Sequence, residues 1–335
     1  MTPFLLDYLC DPKDKTTLTL VDARYDGAGN ITEGVLVSGS GNRYRIVDGV
    51  PRFVENMPIK ASVDSFGDEW NYFNFDQFKR NWLSHTVKNT FGSADAFKGK
   101  VIVDAGGGSG MQSLWMSQSG ARHVICLELS HSVDGVMKEN VGGVPNIDRV
   151  QCSIDSPPIR DGSIDGIVYC HNVIQHTPSV ENTARALWRM VGPGGEFVFN
   201  CYRKTTGGFP NVLRNWTYDR LRGFLPRRSF RFILNYSRVM SSLRFIPVLG
   251  KSLEILSFVC RGDVPKGGNY FRRAYQQGVL NTFDLYGSHA YQHLKTDEEI
   301  QRLISELQPD NKKISNYAMY FSRHTPEGCA LRLTK

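Results

Sequence analysis

A strand-like run, Val101-Ile102-Val103, stops at Asp104 and passes into Ala105-Gly106-Gly107-Gly108-Ser109-Gly110, and this junction constrains the chain more than any other feature. Glycine lets the backbone turn tightly and approach a ligand where a side chain would block it. A helix opening there presents free N–H groups. Apolar runs at 101–103, 123–127, 149–152, 164–170 and 196–200 alternate with helical stretches such as 181–190. Strands alternating with helices imply βαβ units and an α/β architecture with a doubly wound, mostly parallel sheet. A dinucleotide turn would be spaced G-x-G-x-x-G. Here the third glycine comes early, at Gly110, and Met111 stands in its place, which disfavours a nicotinamide oxidoreductase. Glu128 closes the second strand 24 positions after Asp104. A doubly wound sheet puts such a carboxylate beside the glycine turn, where it can accept both hydroxyls of a ribose. The competing reading is a surface glutamate ahead of a helix capped by Ser130.

The 335 residues are 41% apolar and 22% charged, a globular composition with enough chain for a real core. No apolar run approaches the roughly 20 residues of a membrane span. The start, Met1-Thr2-Pro3-Phe4-Leu5-Leu6-Asp7, has no basic n-region, so a cytoplasmic enzyme is expected. The seven cysteines are odd in number and none forms a C-x-x-C pair, which argues against a disulfide framework and a zinc ribbon. The net charge of +7 is uneven: between Arg203 and Lys251 eleven Lys or Arg face one acid, Asp219, so that stretch carries +10 and the remainder −3.

Five regions are expected along the chain. Residues 1–55 form a small β module with turns at 27–30 and 38–42, and a linker through Met57-Pro58 follows it. Residues 56–99 are an aromatic-rich helical linker or flap, residues 100–202 the core, 203–285 a basic helical insert, and 286–335 complete the core. Thr296 and Glu299 are spaced as a capping box for a helix from 297, and 314–333 reads as a closing strand pair.

The run from Val101 to Tyr202 resembles the class I S-adenosylmethionine-dependent methyltransferases. The motifs that carry this are Asp104 to Gly110, Glu128, Pro158-Ile159-Arg160-Asp161-Gly162-Ser163-Ile164-Asp165, His171-Asn172-Val173-Ile174-Gln175-His176 and Gly192-Pro193-Gly194-Gly195, in order. The resemblance implies a Rossmann-like, seven-stranded sheet and S-adenosylmethionine as cofactor. It implies that Asp104, Gly106, Gly107, Gly108 and Gly110 hold the methionine part, that Glu128 with Leu129 binds the ribose, and that Ile154 offers its backbone to the adenine. Whether Ser153 or Asp155 meets the adenine amino group stays open. Cys170 and His171 would line the methyl-transfer face. Phe66 and Trp70, in Ser65-Phe66-Gly67-Asp68-Glu69-Trp70, resemble a segment that folds over the cofactor; core packing is the alternative for these aromatics. Residues 4–54 resemble a small zinc-ribbon-like module that has kept only Cys10, so a metal-free remnant is expected.

Methyl transfer mainly requires alignment of a nucleophile, and a hydroxyl nucleophile benefits from a base. His171 and His176 follow the fourth strand, where such sheets bind ligands, and are the candidates for that base. His289 and His293 share i, i+4 spacing but lack a third metal ligand nearby. The expected activity is methylation, at oxygen, of a small-molecule, glycan-like or lipid-linked acceptor. The basic insert reads as a solvated lid, as a site favouring an anionic acceptor, as a peripheral membrane contact through 203–251, or as a nucleic-acid contact without any RNA-module signature. An RNA methyltransferase and a non-catalytic cofactor-binding partner protein are the alternatives.

Overall fold

The computed structural model describes residues 1–54, 60–203, 209–260, 264, 269–287, 291–317 and 328–335. Met57, Pro58 and His289 fall outside them. The N-terminal module is an antiparallel sheet of β1 (Leu18–Tyr25), β2 (Ile31–Ser38), β3 (Arg43–Val47) and β4 (Val50–Pro51) in sequential order. Where the resemblance would put a metal knuckle, buried Asp11 accepts hydrogen bonds from the Lys13 amide, Asn42 Nδ2 and Tyr44 Oη. Cys10 beside it is buried, and burial raises its thiol pKa. Among the described residues, no group of three or more His, Cys, Asp or Glu could hold a metal ion.

Helix α1 (Lys60–Tyr72) follows, and an irregular helical run from Asp76 to Phe91 contains a π-turn at Trp82–Val87. The core then alternates β5 (Val101–Ala105), α2 (Met111–Gln118), β6 (His123–Glu128), α3 (Val136–Val141), β7 (Ile147–Gln151), β8 (Ile167–Cys170), α4 (Val180–Met190) and β9 (Glu196–Arg203). Helices α5 (Phe209–Phe224), α6 (Phe230–Leu243), α7 (Leu249–Ile255) and α8 (Tyr270–Tyr286) make up the insert. The chain returns through β10 (Leu294–Lys295), α9 (Asp297–Leu307), β11 (Asn311–Tyr317) and β12 (Gly328–Thr334).

The large sheet has the order β11-β12-β9-β8-β5-β6-β7. Strands β5 to β9 are mutually parallel; β12 is added antiparallel to β9, and β11 pairs antiparallel with β12. This is the expected doubly wound, mostly parallel seven-stranded path. The two-residue β10, parallel to β9, is an addition too short for periodicity to show. Successive residues of a strand point to opposite faces. Accordingly Val101 and Val103 pack with Leu187 of α4 and Leu303 of α9, while Ile102 packs with Met116 of α2 and Met137 of α3. The cap of α9 carries both reciprocal bonds, Glu299 N–H to Thr296 Oγ1 and Thr296 N–H to Glu299 Oε2.

The N-terminal module shares the core of the large sheet. Leu5, Leu9, Ile31 and Leu36 belong to the same apolar cluster as Ile125 and Val150. Phe53 N–H donates to the Gln151 carbonyl at 2.8 Å, and Thr2 N–H donates to Asp148, which also binds His123. The module therefore caps the β7 edge that would otherwise expose unpaired backbone groups.

Candidate active site

The chain order reverses between β5 and β8, so their carboxyl ends flank the crevice where open α/β sheets bind ligands. The glycine turn leaves β5 there. Gly106, Gly108 and Gly110 all have positive φ, at 88°, 56° and 77°. A Cβ on Gly106 would lie 2.6 Å from Val173, one on Gly107 2.1 Å from Cys126 Sγ, and one on Gly108 2.7 Å from the Trp70 indole. Both conformation and clearance thus require glycine. Gly106 and Gly107 anchor the turn through N–H bonds to the Leu127 carbonyl, and Gly110 opens α2.

Glu128 braces this turn. Its Oε2 accepts from Gly108 N–H and its Oε1 from Ser130 N–H, each at 2.7 Å, in a buried position. Each oxygen keeps a second lone pair. Ser130 caps the following turn, accepting from Ser132 N–H, and the Glu128 carboxylate is buried, not on the surface. Asp104 is buried and accepts the Ser113 hydroxyl at 2.6 Å. Burial raises its pKa to about 6 against the lowering effect of that bond.

A cleft enclosing about 1110 Å³ of empty space, part of it open to solvent, runs from the turn to the insert. Asp104, Gly106 and Gly107 meet His171, His176, Phe66 and Trp70 in its wall. Asn172 holds the loop after β8 at φ 59°, a conformation asparagine tolerates. Its N–H donates to Asn200 Oδ1, and Asn200 Nδ2 donates back to Asn172 Oδ1. The His171 ring is half-buried and stacks on Tyr169 at 5.8 Å. Its Nε2 is sealed from solvent without a hydrogen-bond partner, as is Oε1 of Gln112, whose Nε2 lies 3.5 Å from His171 Nδ1. Burial lowers the His171 pKa to about 4, so the ring is neutral at physiological pH. His176 differs: its Nδ1 lies 3.1 Å from the Tyr291 carbonyl, which can only accept, so Nδ1 carries the proton and Nε2 is the basic nitrogen. Phe66 and Tyr202 pack edge-on against its ring.

The remaining expected site residues lie elsewhere. Gly108 and Gly110 belong to the turn and Glu128 braces it without lining the cleft, and Leu129, Ser153, Ile154 and Asp155 do not line it either; Gly108 is covered by Trp70. Asp155 is engaged by the Thr183 hydroxyl of α4 and through its own N–H by Ser153 Oγ. The Cys170 side chain, expected to line the site, is fully buried in the core beneath the sheet, with its thiol pKa raised by burial, and does not line this cleft. Strand alternation is the reason, since β8 sends Tyr169 and Cys170 to opposite sides. His293 is a brace: its Nε2–H donates to the Thr177 carbonyl while its backbone N–H donates to the Gln175 carbonyl.

The aromatic-rich stretch divides. Phe66, Trp70, Phe75 and Phe78 line the cleft, whereas Phe91 and Phe97 pack below. Trp82 does both, with Nε1 donating to Tyr169 Oη. Sequence reasoning passed over Glu69, Gln112, Tyr202, Gln277, Asn281 and Asp284, all in the cleft wall. Gln277, Asn281 and Asp284 are polar residues spaced i, i+4, i+7, which places them on one face of a helix. Glu69 is buried, and its pKa is raised well above the usual range by burial and then by the neighbouring Asp284.

Residues 103–199 match a family model described as a methyltransferase domain. With the doubly wound sheet and its glycine turn, that defines the class: this segment is a class I S-adenosylmethionine-dependent methyltransferase domain. Among curated proteins the chain is similar to the ubiquinone biosynthesis O-methyltransferase of Azoarcus sp. (strain BH72), 26% identical over 43% of this chain and 66% of that one. It is also similar to the protein of that name from Erwinia tasmaniensis, 29% identical over 38% of this chain and 49% of that one. The chain thus spans less than two thirds of those relatives' lengths. Among solved structures it superposes on an S-adenosylmethionine-dependent methyltransferase from Listeria monocytogenes with a TM-score of 0.44 and 13% identity, covering 77% of this chain and 99% of that one.

Proposed function

We propose that the chain transfers the methyl group of S-adenosylmethionine to an oxygen of a small-molecule, glycan-like or lipid-linked acceptor. The observation that carries this is one cleft in which the glycine turn faces two histidines of opposite hydrogen-bonding character. The turn fits the cofactor: the side-chain-free backbone of Gly106 and Gly107 lines the cleft, and buried polar atoms of His171 and Gln112 face it without partners among the described residues. Gly106 and Gly107 would hold the amino-acid end, and Glu128 has lone pairs left for ribose hydroxyls. When bound, S-adenosylmethionine supplies an electrophilic methyl carbon on a sulfonium.

His176 Nε2 accepts the proton of the acceptor hydroxyl, with Tyr291 holding the tautomer. His171, with Gln112 Nε2 facing its Nδ1, presents Nε2–H as a donor that orients the same oxygen. Oxygen is further supported by the names of the two O-methyltransferase relatives. Among the described residues the cleft wall has no Lys or Arg, while Glu69 and Asp284 face it. This lining suits an uncharged or cationic acceptor moiety better than an anionic one.

The test is methyl transfer from labelled S-adenosylmethionine across phenolic, catechol and glycan acceptors. His176→Gln lowers kcat by roughly 10²- to 10⁴-fold with KM little changed. His171→Asn acts mainly on KM. A folded chain that binds no S-adenosylmethionine, or a His176→Gln variant with undiminished kcat, sinks this reading.

A further inference from the structure

The strong positive charge of the insert lies outside the cleft. Exposed Arg231, Arg238, Lys251 and Arg272 lie on the outer side of α6, α7 and α8, and none lines the cleft. The acids of the insert among the described residues scarcely offset them. Asp219 is exposed, Glu254 faces Arg244 at 3.9 Å, and Asp284 points into the cleft.

Between α6 and α7 this basic surface carries an apolar projection. Phe245, Ile246, Pro247, Val248 and Leu249 are consecutive and all exposed, Val248 to 82%. Phe271, 68% exposed, joins them with its ring 5.9 Å from that of Phe245. Single exposed apolar residues are ordinary, but a run of five is not. The projection is also a built structure. Gly250 N–H closes it on the Ile246 carbonyl at 2.8 Å, and a Cβ on Gly250 would lie 1.8 Å from the Arg244 carbonyl oxygen. Val248 sits at φ 66°, a conformation a β-branched residue rarely adopts, and it is held there pointing into solvent.

Helix α6 continues the pattern, with Arg231, Phe232, Arg238 and Val239 on its exposed stripe and Ile233, Leu234, Ser237 and Ser241 on its buried one. Apolar tips flanked by long cations suit a surface with an apolar layer beneath an anionic one. Nucleic acid offers no apolar phase for the aliphatic Ile246, Val248 and Leu249, and recognition of single strands relies on aromatic stacking.

We propose that this face docks on an anionic lipid bilayer, with the 245–249 projection and Phe271 entering the acyl boundary and Arg231, Lys251 and Arg272 meeting the headgroups. Helix α8 links this face to the site, because Tyr270 and Phe271 begin it and Gln277, Asn281 and Asp284 line the cleft. From Phe271 to Asn281 the axial rise is about 15 Å.

The experiment is co-sedimentation of the full chain with phosphatidylcholine vesicles, with and without phosphatidylglycerol, at low and high salt. Wild type pellets with phosphatidylglycerol vesicles, pellets less as salt rises, and stays in solution with phosphatidylcholine alone. Val248→Asp lowers partitioning tenfold or more. Combined Arg231→Gln, Lys251→Gln and Arg272→Gln lowers it roughly a hundredfold, about fivefold per cation. All variants keep wild-type circular dichroism and S-adenosylmethionine affinity, which separates failure here from failure of the methyl-transfer reading. The proposal is overturned by absence of pelleting with phosphatidylglycerol vesicles or by undiminished pelleting of Val248→Asp. It is equally overturned by tighter binding to a structured RNA than to vesicles, or by a wild-type dimer that Val248→Asp dissociates without any vesicle binding.

Discussion

The strand-end site and the insert that covers it are built on different plans. At the ends of β5, β6 and β8 every group that shapes the site is within a few residues of a strand terminus: Asp104 and the glycines, Glu128, and His171 to His176. These groups are buried or half-buried, and the charged ones are the buried carboxylates Asp104 and Glu128. In the insert, one helix shows two characters: α8 turns Gln277, Asn281 and Asp284 inward and leaves Tyr270, Phe271 and Arg272 outside. The lesson is that a net charge of +10 over a stretch of chain says nothing about what the stretch encloses. Here Arg231, Arg238, Lys251 and Arg272 face out, Arg214 and Arg244 are buried away from the cleft wall, and that wall is acidic and amide-rich.

The comparison breaks most readily at Glu128. Glu128→Ala leaves two buried backbone N–H groups without their acceptor, at a cost of about 1–3 kcal/mol each, and loosens the glycine turn. Cofactor affinity falls by a hundredfold or more, read by calorimetry, and chemical denaturation reads the stability loss. An unchanged affinity in a folded variant would mean the carboxylate is only a brace.

A second effect concerns the buried carboxyl of Asp104, whose pKa is raised from 3.8 to about 6 by burial. The folded state holds this proton more tightly than the unfolded chain. Its stabilising contribution is therefore complete below pH 3.8 and is lost as pH rises to about 6. Asp104→Asn removes that dependence. The stability difference, wild type minus variant, drops by on the order of 3 kcal/mol between pH 4 and pH 7.5. A flat difference would show that Asp104 ionises at no cost. His171 runs opposite in sign: its lowered pKa makes the folded state lose stability as pH falls from 6.5 towards about 4.

The smallest effect sharpens the contrast from the other side. Arg231→Gln, on the exposed stripe of α6, changes stability by no more than about 0.5 kcal/mol and leaves cofactor affinity and turnover with a water-soluble acceptor unaltered. A kcat loss there would place the outer face in the methyl-transfer machinery.

Local physics made the doubly wound sheet, the glycine turn, Glu128 and the capping box of α9 legible in the amino-acid sequence. Strand alternation, positive-φ glycines and cap spacing act over a few residues and leave short-range patterns. Tertiary packing decided the rest. It sent Cys170 into the core while His171 entered the cleft, closed Trp70 over Gly108, bonded Glu128 to backbone, and gave His176 its tautomer through Tyr291, 115 positions away. It also merged the N-terminal module into the main core and turned Arg231, Arg238, Lys251 and Arg272 of the insert outward. Which face of an element meets a cavity depends on what packs against it from distant parts of the chain, and no local pattern carries that information.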